Sequence, residues 1–154
     1  MTTFADAFER AKGQPIDYEG RKVQLSYWLP VSDGDHVGIK FLRYASTPVQ
    51  GLGLTAERCQ LRVVSITSSN VVLWTDTAPR DVEIRVVKAK PGARLGLMNQ
   101  WRDAKYGTTL MGINNAAMEF QPQSDGSVVL RCSDGWGEPD FNDLVVRLRV
   151  GRQR

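Results

Sequence analysis

The chain has 154 residues, 42% hydrophobic and 24% charged. That is one domain's worth of sequence, enough to bury a core, and it excludes a chain that is disordered throughout. A formal charge of +3, with arginine scattered along the chain, argues against a nucleic-acid surface, which clusters its cations or interleaves them with aromatics. Two cysteines, Cys59 and Cys132, and a lone His36 exclude CxxC or His-rich metal sites; the cysteines are expected to be buried free thiols, and His36 a surface residue at a turn.

The start, MTTFADAFERAKG, has no basic n-region and no long apolar stretch. It predicts no signal peptide and a protein made in the cytoplasm, with export by a route lacking a cleaved signal left open. No apolar run is long enough to cross a bilayer. Phe4, Ala5, Phe8 and Ala11 repeat at helical spacing, with Thr2 or Thr3 as N-cap and Gly13 and Pro15 as the stop. Residues 1–14 are thus an N-terminal helical segment, and 15–154 a single β-sandwich domain.

From there the period is two. RKVQLSYWL reads as one strand, PVSDGD (30–35) as a turn, and HVGIKFLRY as the return strand of a hairpin. TPVQGLGLTAE reads as a glycine-containing loop. CQLRVVSI and NVVLWT read as strands, with the turn between them at 67–70. RDVEIRVVKA, with Val82, Ile84 and Val86 on one face, and RLGLMNQW are strands on either side of a PGA break. Residues 99–115 give no clear pattern. GTTLMGI and AAMEFQ are candidate strands, SDG (124–126) is a turn, and GSVVLRC and DLVVRLRV are the last two strands. Eight to ten short strands with evenly spaced turns predict an all-β antiparallel sandwich of jelly-roll or Greek-key type. Arg147, Arg149, Arg152 and Arg154 form the densest basic stretch. Arg147 and Arg149 share one strand face, a solvated face or a patch for phosphate or acidic glycan.

The stretch with chemistry is CSDGWGEPDFNDLVV (132–146). Asp134, Glu138, Asp140, Asn142 and Asp143 bring side-chain oxygens into ten residues. Calcium takes six to eight such oxygens, and crowded carboxylates repel until a cation sits among them. Gly135, Gly137 and Pro139 let the backbone curl, and Asp140 and Asn142 alternate with Phe141, so the oxygens and the ring face opposite sides. Oxygen donors alone disfavour zinc and copper, and the spacing is not an EF-hand. Asp, Asn and Gly also populate plain turns, so the residues by themselves leave a calcium loop and a simple connection both open.

SDGWGEPDFNDLVVRLRV resembles the C-terminal signature of the bacterial calcium-dependent fucose- and mannose-binding lectins, an acidic glycine loop running into D-[YF]-N-D and a valine-rich strand. The resemblance covers about twenty residues, 129–150. It implies a small β-sandwich in which sugar hydroxyls coordinate bound Ca²⁺ directly. Asp140, Asn142 and Asp143 would take the ligand positions of the D-[YF]-N-D core, Glu138 an upstream aspartate's, and Asp134 the first acidic one. The early turn Ser32-Asp33-Gly34-Asp35 stands where the family supplies an Asn-containing calcium loop, so the resemblance implies that Asp33 or Asp35 could complete a site from across the sheet. Trp136 and Pro139 stand where the family is more acidic, which leaves one or two ions open. The family ends on a glycine that completes a neighbouring subunit's sugar site, whereas this chain continues past Gly151.

Trp136 beside the loop has two readings, a platform for a sugar ring or a plug against the sandwich end. Trp28, Trp74 and Trp101 are expected in the core or at its rim. No nucleophile motif or phosphate loop is present. A Glu138–Asp140 acid–base pair is the one catalytic arrangement to weigh, and ligation would occupy it. The expectation is a non-catalytic, calcium-dependent carbohydrate-binding protein. The alternative is a structural or adhesion module in which calcium only rigidifies 134–143, and a metal-free interaction module is a third. Partners expected are carbohydrate or glycoconjugates, with neither nucleic acid nor a membrane span; homo-oligomerisation is left open.

Overall fold

The computed structural model describes residues 2–103 and 105–152. A short helix, α1 (Phe4–Arg10), is followed by β1 (Ile16–Tyr18), β2 (Arg21–Val23), β3 (Tyr27–Pro30), β4 (His36–Tyr44), β5 (Gln50–Glu57), β6 (Gln60–Val63) and β7 (Ile66–Ser68). Then come β8 (Asn70–Trp74), β9 (Asp81–Val87), β10 (Arg94–Arg102), β11 (Thr109–Leu110), β12 (Ala117–Pro122), β13 (Val128–Ser133) and β14 (Leu144–Gly151). The protein is all-β, as its period-two pattern predicts.

Two antiparallel sheets face each other. The larger has the order β12-β13-β14-β4-β9-β6-β7; the smaller has β11-β10-β5-β8, with β3 also on β10. Alternation along each strand sends one set of side chains between them. Val37, Ile39 and Phe41 of β4, Ile84 of β9 and Val146 of β14 meet Leu52 and Leu54 of β5 and Leu95 and Leu97 of β10, all at most 1% exposed. Cys59 and Cys132 are buried and unpaired, and burial pushes both thiols up from their usual range. His36 opens β4 at the surface, 2.9 Å from Glu83.

Three local expectations change. Residues 50–57, read as a loop because of Gly51 and Gly53, are a central strand of the smaller sheet. These glycines make room and do not mark a turn. A Cβ on Gly51 would lie 2.6 Å from the Trp74 ring, and one on Gly53 would lie 2.3 Å from the Gln100 amide. The same holds for Gly96 beneath Trp28. RKVQLSYWL is two strands. Gln24 exchanges both backbone hydrogen bonds with Met118, so β2 turns to a small hairpin with β1 while β3 joins β10. The reversal expected at 67–70 occurs earlier. Arg62 pairs with Thr67 and Val63 with Ile66, with Val64 at φ 56°. The Ser68–Asn70 contacts mark instead where the chain crosses to the smaller sheet.

Helix α1 is capped by a reciprocal Thr3–Asp6 pair. Its Phe4 and Phe8 are buried against Val23, Ala117 and Phe141, a second small core. Phe141 belongs to the acidic loop, so the N-terminal segment buttresses that loop. Among the described residues no helix is long and apolar enough to cross a membrane.

Candidate functional site

The acidic loop spans the end of the larger sheet between β13 and β14, whose last paired residues are Cys132 and Leu144. Asp134 turns inward and is 2% exposed. Its carboxylate accepts from the Gln50 amide at 2.8 Å and from the Trp136 N–H at 2.8 Å. The Asp134 N–H in turn donates to the Asp143 carboxylate at 3.0 Å. Asp140 accepts from the Asn142 N–H at 2.9 Å, and the Asp143 N–H donates to the Asp140 carbonyl at 3.2 Å, closing a tight turn into β14. The Ser133 hydroxyl accepts the Asp140 N–H, and the Ser133 carbonyl accepts the Asn99 amide. Gly135 carries no side chain because the buried Trp101 ring lies on it; a Cβ there would sit 2.5 Å from that ring.

Asp143 feels the charges of two further carboxylates of the same loop. Burial first, then the charges of Asp134 and Asp140, push the Asp143 carboxyl up to about 7, although the Asp134 N–H bond pulls the other way. Asp134, Asp140 and Asp143 take part in none of the ion pairs among the described residues. The Gln50 side chain is completely buried, and its Oε1 has no hydrogen-bond partner among the described residues.

The other predicted residues lie apart from this cluster. The Asn142 side-chain oxygen Oδ1 turns outward and accepts from the Arg131 guanidinium, 3.2 Å away. Glu138 is exposed and lines a recess with Thr3 and Phe4 of the N-terminal segment and Tyr18 of β1. Asp33 is a correction. It accepts from the Ala89 N–H at the opposite end of the sandwich, where β4 begins, whereas the acidic loop bonds to Ala45 beyond β4's far end. Asp35 is there too, paired with Arg152 and capping Ser32. The nine residues of β4 separate the two ends, so neither aspartate reaches the loop. Arg154 lies outside the described residues. Trp136 is 71% exposed, so it does not plug the loop; Trp101, 2% exposed, does that.

Asp140 and Asn142 form one wall of an open polar cleft of about 500 Å³, faced by Arg21, Glu119, Gln121 and Arg131. Arg21 lies 3.4 Å from Glu119 and stacks on Phe141, with its guanidinium carbon 4.8 Å from the ring centre. Among the described residues no three His, Cys, Asp or Glu side chains converge on a common metal position. The two Asp134 oxygens are engaged by the Gln50 amide and the Trp136 N–H, and one Asp140 oxygen by the Asn142 N–H. A carboxylate oxygen that accepts one N–H nevertheless keeps a second lone pair.

The pattern reading missed Gln50 and Asn99, and it placed Trp101 in the core or at its rim without its role against the loop. Asn99 and Trp101 continue the inward row Leu95–Leu97 of β10, and Gln50 continues the inward row of Leu52 and Leu54 in β5. Polar residues in a core-facing row are the signal that could have found them. Comparison with protein-family models, curated proteins and solved structures gives no match.

Proposed function

We propose that the chain is a non-catalytic, calcium-dependent carbohydrate-binding domain whose ion is held by the acidic loop. The observation that carries this is the Asp134–Asp140–Asp143 group: three carboxylates, one forced toward protonation by burial and its neighbours, with no cationic side chain paired to them among the described residues. The donor set fits calcium. It is all oxygen, and the orphaned Gln50 Oε1 beside Asp134 is a further hard donor. Asp140 and Asp143 would hold the ion, with Asn142 turned from Arg131 and Asp134 behind them. Bound calcium would supply positive charge and coordination positions for sugar hydroxyls.

The chain's own part is to present those oxygens rigidly. Ser133, Asn99 and the Trp101–Gly135 contact fix the loop to both sheets. The cleft beside Asp140 offers hydrogen-bonding partners suited to sugar hydroxyls in Glu119, Gln121 and Arg131, and Trp136 presents an exposed ring on the same loop. Glycan-array binding that disappears on chelation and returns with Ca²⁺ supports the proposal. Binding unaffected by chelator, or no binding with calcium present, rejects it.

A structural module is the second reading. It is favoured by the inward bonds of Asp134, which already tie β5 to the loop. It predicts that calcium raises the melting temperature while the array stays blank.

A further inference from the structure

The outer face of the larger sheet carries a feature that the acidic loop does not explain. Lys40 of β4 and Arg147 of β14 stand directly opposite each other in the ladder, on the face away from the core. Like charges in that position destabilise a strand pair. Neither takes part in an ion pair among the described residues, and the Arg147 Nε is buried with no hydrogen-bond partner. An unmade bond at a buried charged donor is among the more expensive defects a fold can carry.

Both residues line one groove of about 430 Å³ together with Arg149, Asp81 and Glu83. Its floor is open because Gly38 lies between Arg149 and Glu83 in the ladder, and a Cβ built there meets nothing closer than 3.8 Å. Two of the wall charges are already answered: Arg149 by Asp125 at 2.6 Å, and Glu83 by His36 at 2.9 Å. The charges left over are Arg147 on the β14 wall and Asp81 on the β9 wall, with Lys40 of β4 between them, opposite Arg147 on one side and Asp81 on the other.

We propose that this groove binds an oxyanion (sulfate, phosphate or carboxylate) carried on a compact hydroxylated ligand such as an acidic sugar unit. The oxyanion bridges the Arg147 guanidinium and Lys40 in charge-assisted pairs, the Arg147 side chain turning to bring its covered Nε–H to the ligand, and removes the like-charge conflict. Asp81 on the facing wall accepts hydroxyls, and with Glu83 it disfavours a continuous polyanion such as a nucleic acid. The volume suits one or two sugar units. This site is independent of calcium.

The test is titration of the ¹⁵N-labelled full chain in EDTA, at constant ionic strength, with sodium sulfate, sodium phosphate and galacturonate in turn. The readouts are the Arg147 Nε–H resonance and the dissociation constant by calorimetry. The expected result is a saturable shift with at least one of the three. Arg147→Met and Lys40→Met each weaken that binding at least tenfold, and Arg10→Met on α1 leaves it unchanged. Saturation by galacturonate alone supports a carboxylate source, and saturation by sulfate or phosphate alone supports an ester source. Shifts that stay linear for all three probes overturn the proposal, as does equal affinity in the Lys40→Met and parent proteins. Lys40→Met carries the test should Arg147→Met fail to fold.

Discussion

Removing the Asp134 carboxylate tests whether the loop is held from the inside. In Asp134→Ala the Gln50 amide keeps only the Pro48 carbonyl, and the Trp136 N–H loses its acceptor. Each lost bond has a charged partner, worth about 1.5–3 kcal/mol where water cannot substitute. Gln50 is fully buried and bears the whole loss, whereas the loop at Trp136 is open and recovers part of its bond from solvent. Some relief of repulsion at Asp143 offsets the total. The expected net destabilisation is about 3 kcal/mol, which in a domain of this size lowers the melting temperature by roughly 6–12 °C. Asp134→Asn keeps an oxygen for the Trp136 N–H but sets an NH₂ group against the Gln50 donor, so about half that loss is expected. Thermal unfolding by circular dichroism in EDTA at neutral pH measures both. An Asp134→Ala protein melting within 2 °C of the parent (a bound taken from the lower end of the same conversion) would refute the claim that Asp134 anchors the loop.

Asp143 makes a prediction about pH. Its carboxyl is raised in the folded state to about 7, so the fold holds a proton that the unfolded chain releases. That stabilisation is complete below the ordinary carboxylate value and is lost as pH rises toward 7. In EDTA the melting temperature should fall across this window, and Asp143→Asn should remove that part of the fall. Saturating calcium should remove it too, by favouring the charged form. Gly135→Ala should destabilise by about 1–3 kcal/mol in denaturant titration, because the new methyl meets the buried Trp101 ring and the Ile113 carbonyl. Phe141→Ala should cost about 3 kcal/mol and release α1, since Phe141 packs against Phe4 with ring centres 6.1 Å apart; faster amide exchange confined to residues 4–10 is the readout.

The strands that alternate cleanly were legible because burial follows the pleat: β9 buries Val82, Ile84 and Val86 and exposes Asp81, Glu83 and Arg85. β5 was not legible. Its glycines imitate loop chemistry, and the reason for them lies in Trp74 and Gln100, partners from other strands that a linear reading cannot bring alongside. The acidic loop was visible as composition, since Asp134, Asp140 and Asp143 are close in sequence as well as in space. Its inner support was not, because Gln50 lies 84 residues from Asp134 along the chain. Asp33 was drawn to the loop by motif analogy; which end of β4 a turn occupies depends on strand pairing, and the pairing of His36 with Gly151 puts Asp33 at the far end. Glu138 lies two residues from Asp140, yet it lines the recess beside α1.

Calorimetric titration of Ca²⁺ into the chelator-stripped parent and into the Asp140→Ala/Asp143→Ala double variant bears most directly on the proposed ion site. A saturable, one-site or two-site isotherm in the parent and none in the double variant is the predicted result. Heats of simple dilution in the parent, or the same isotherm in both proteins, would contradict it.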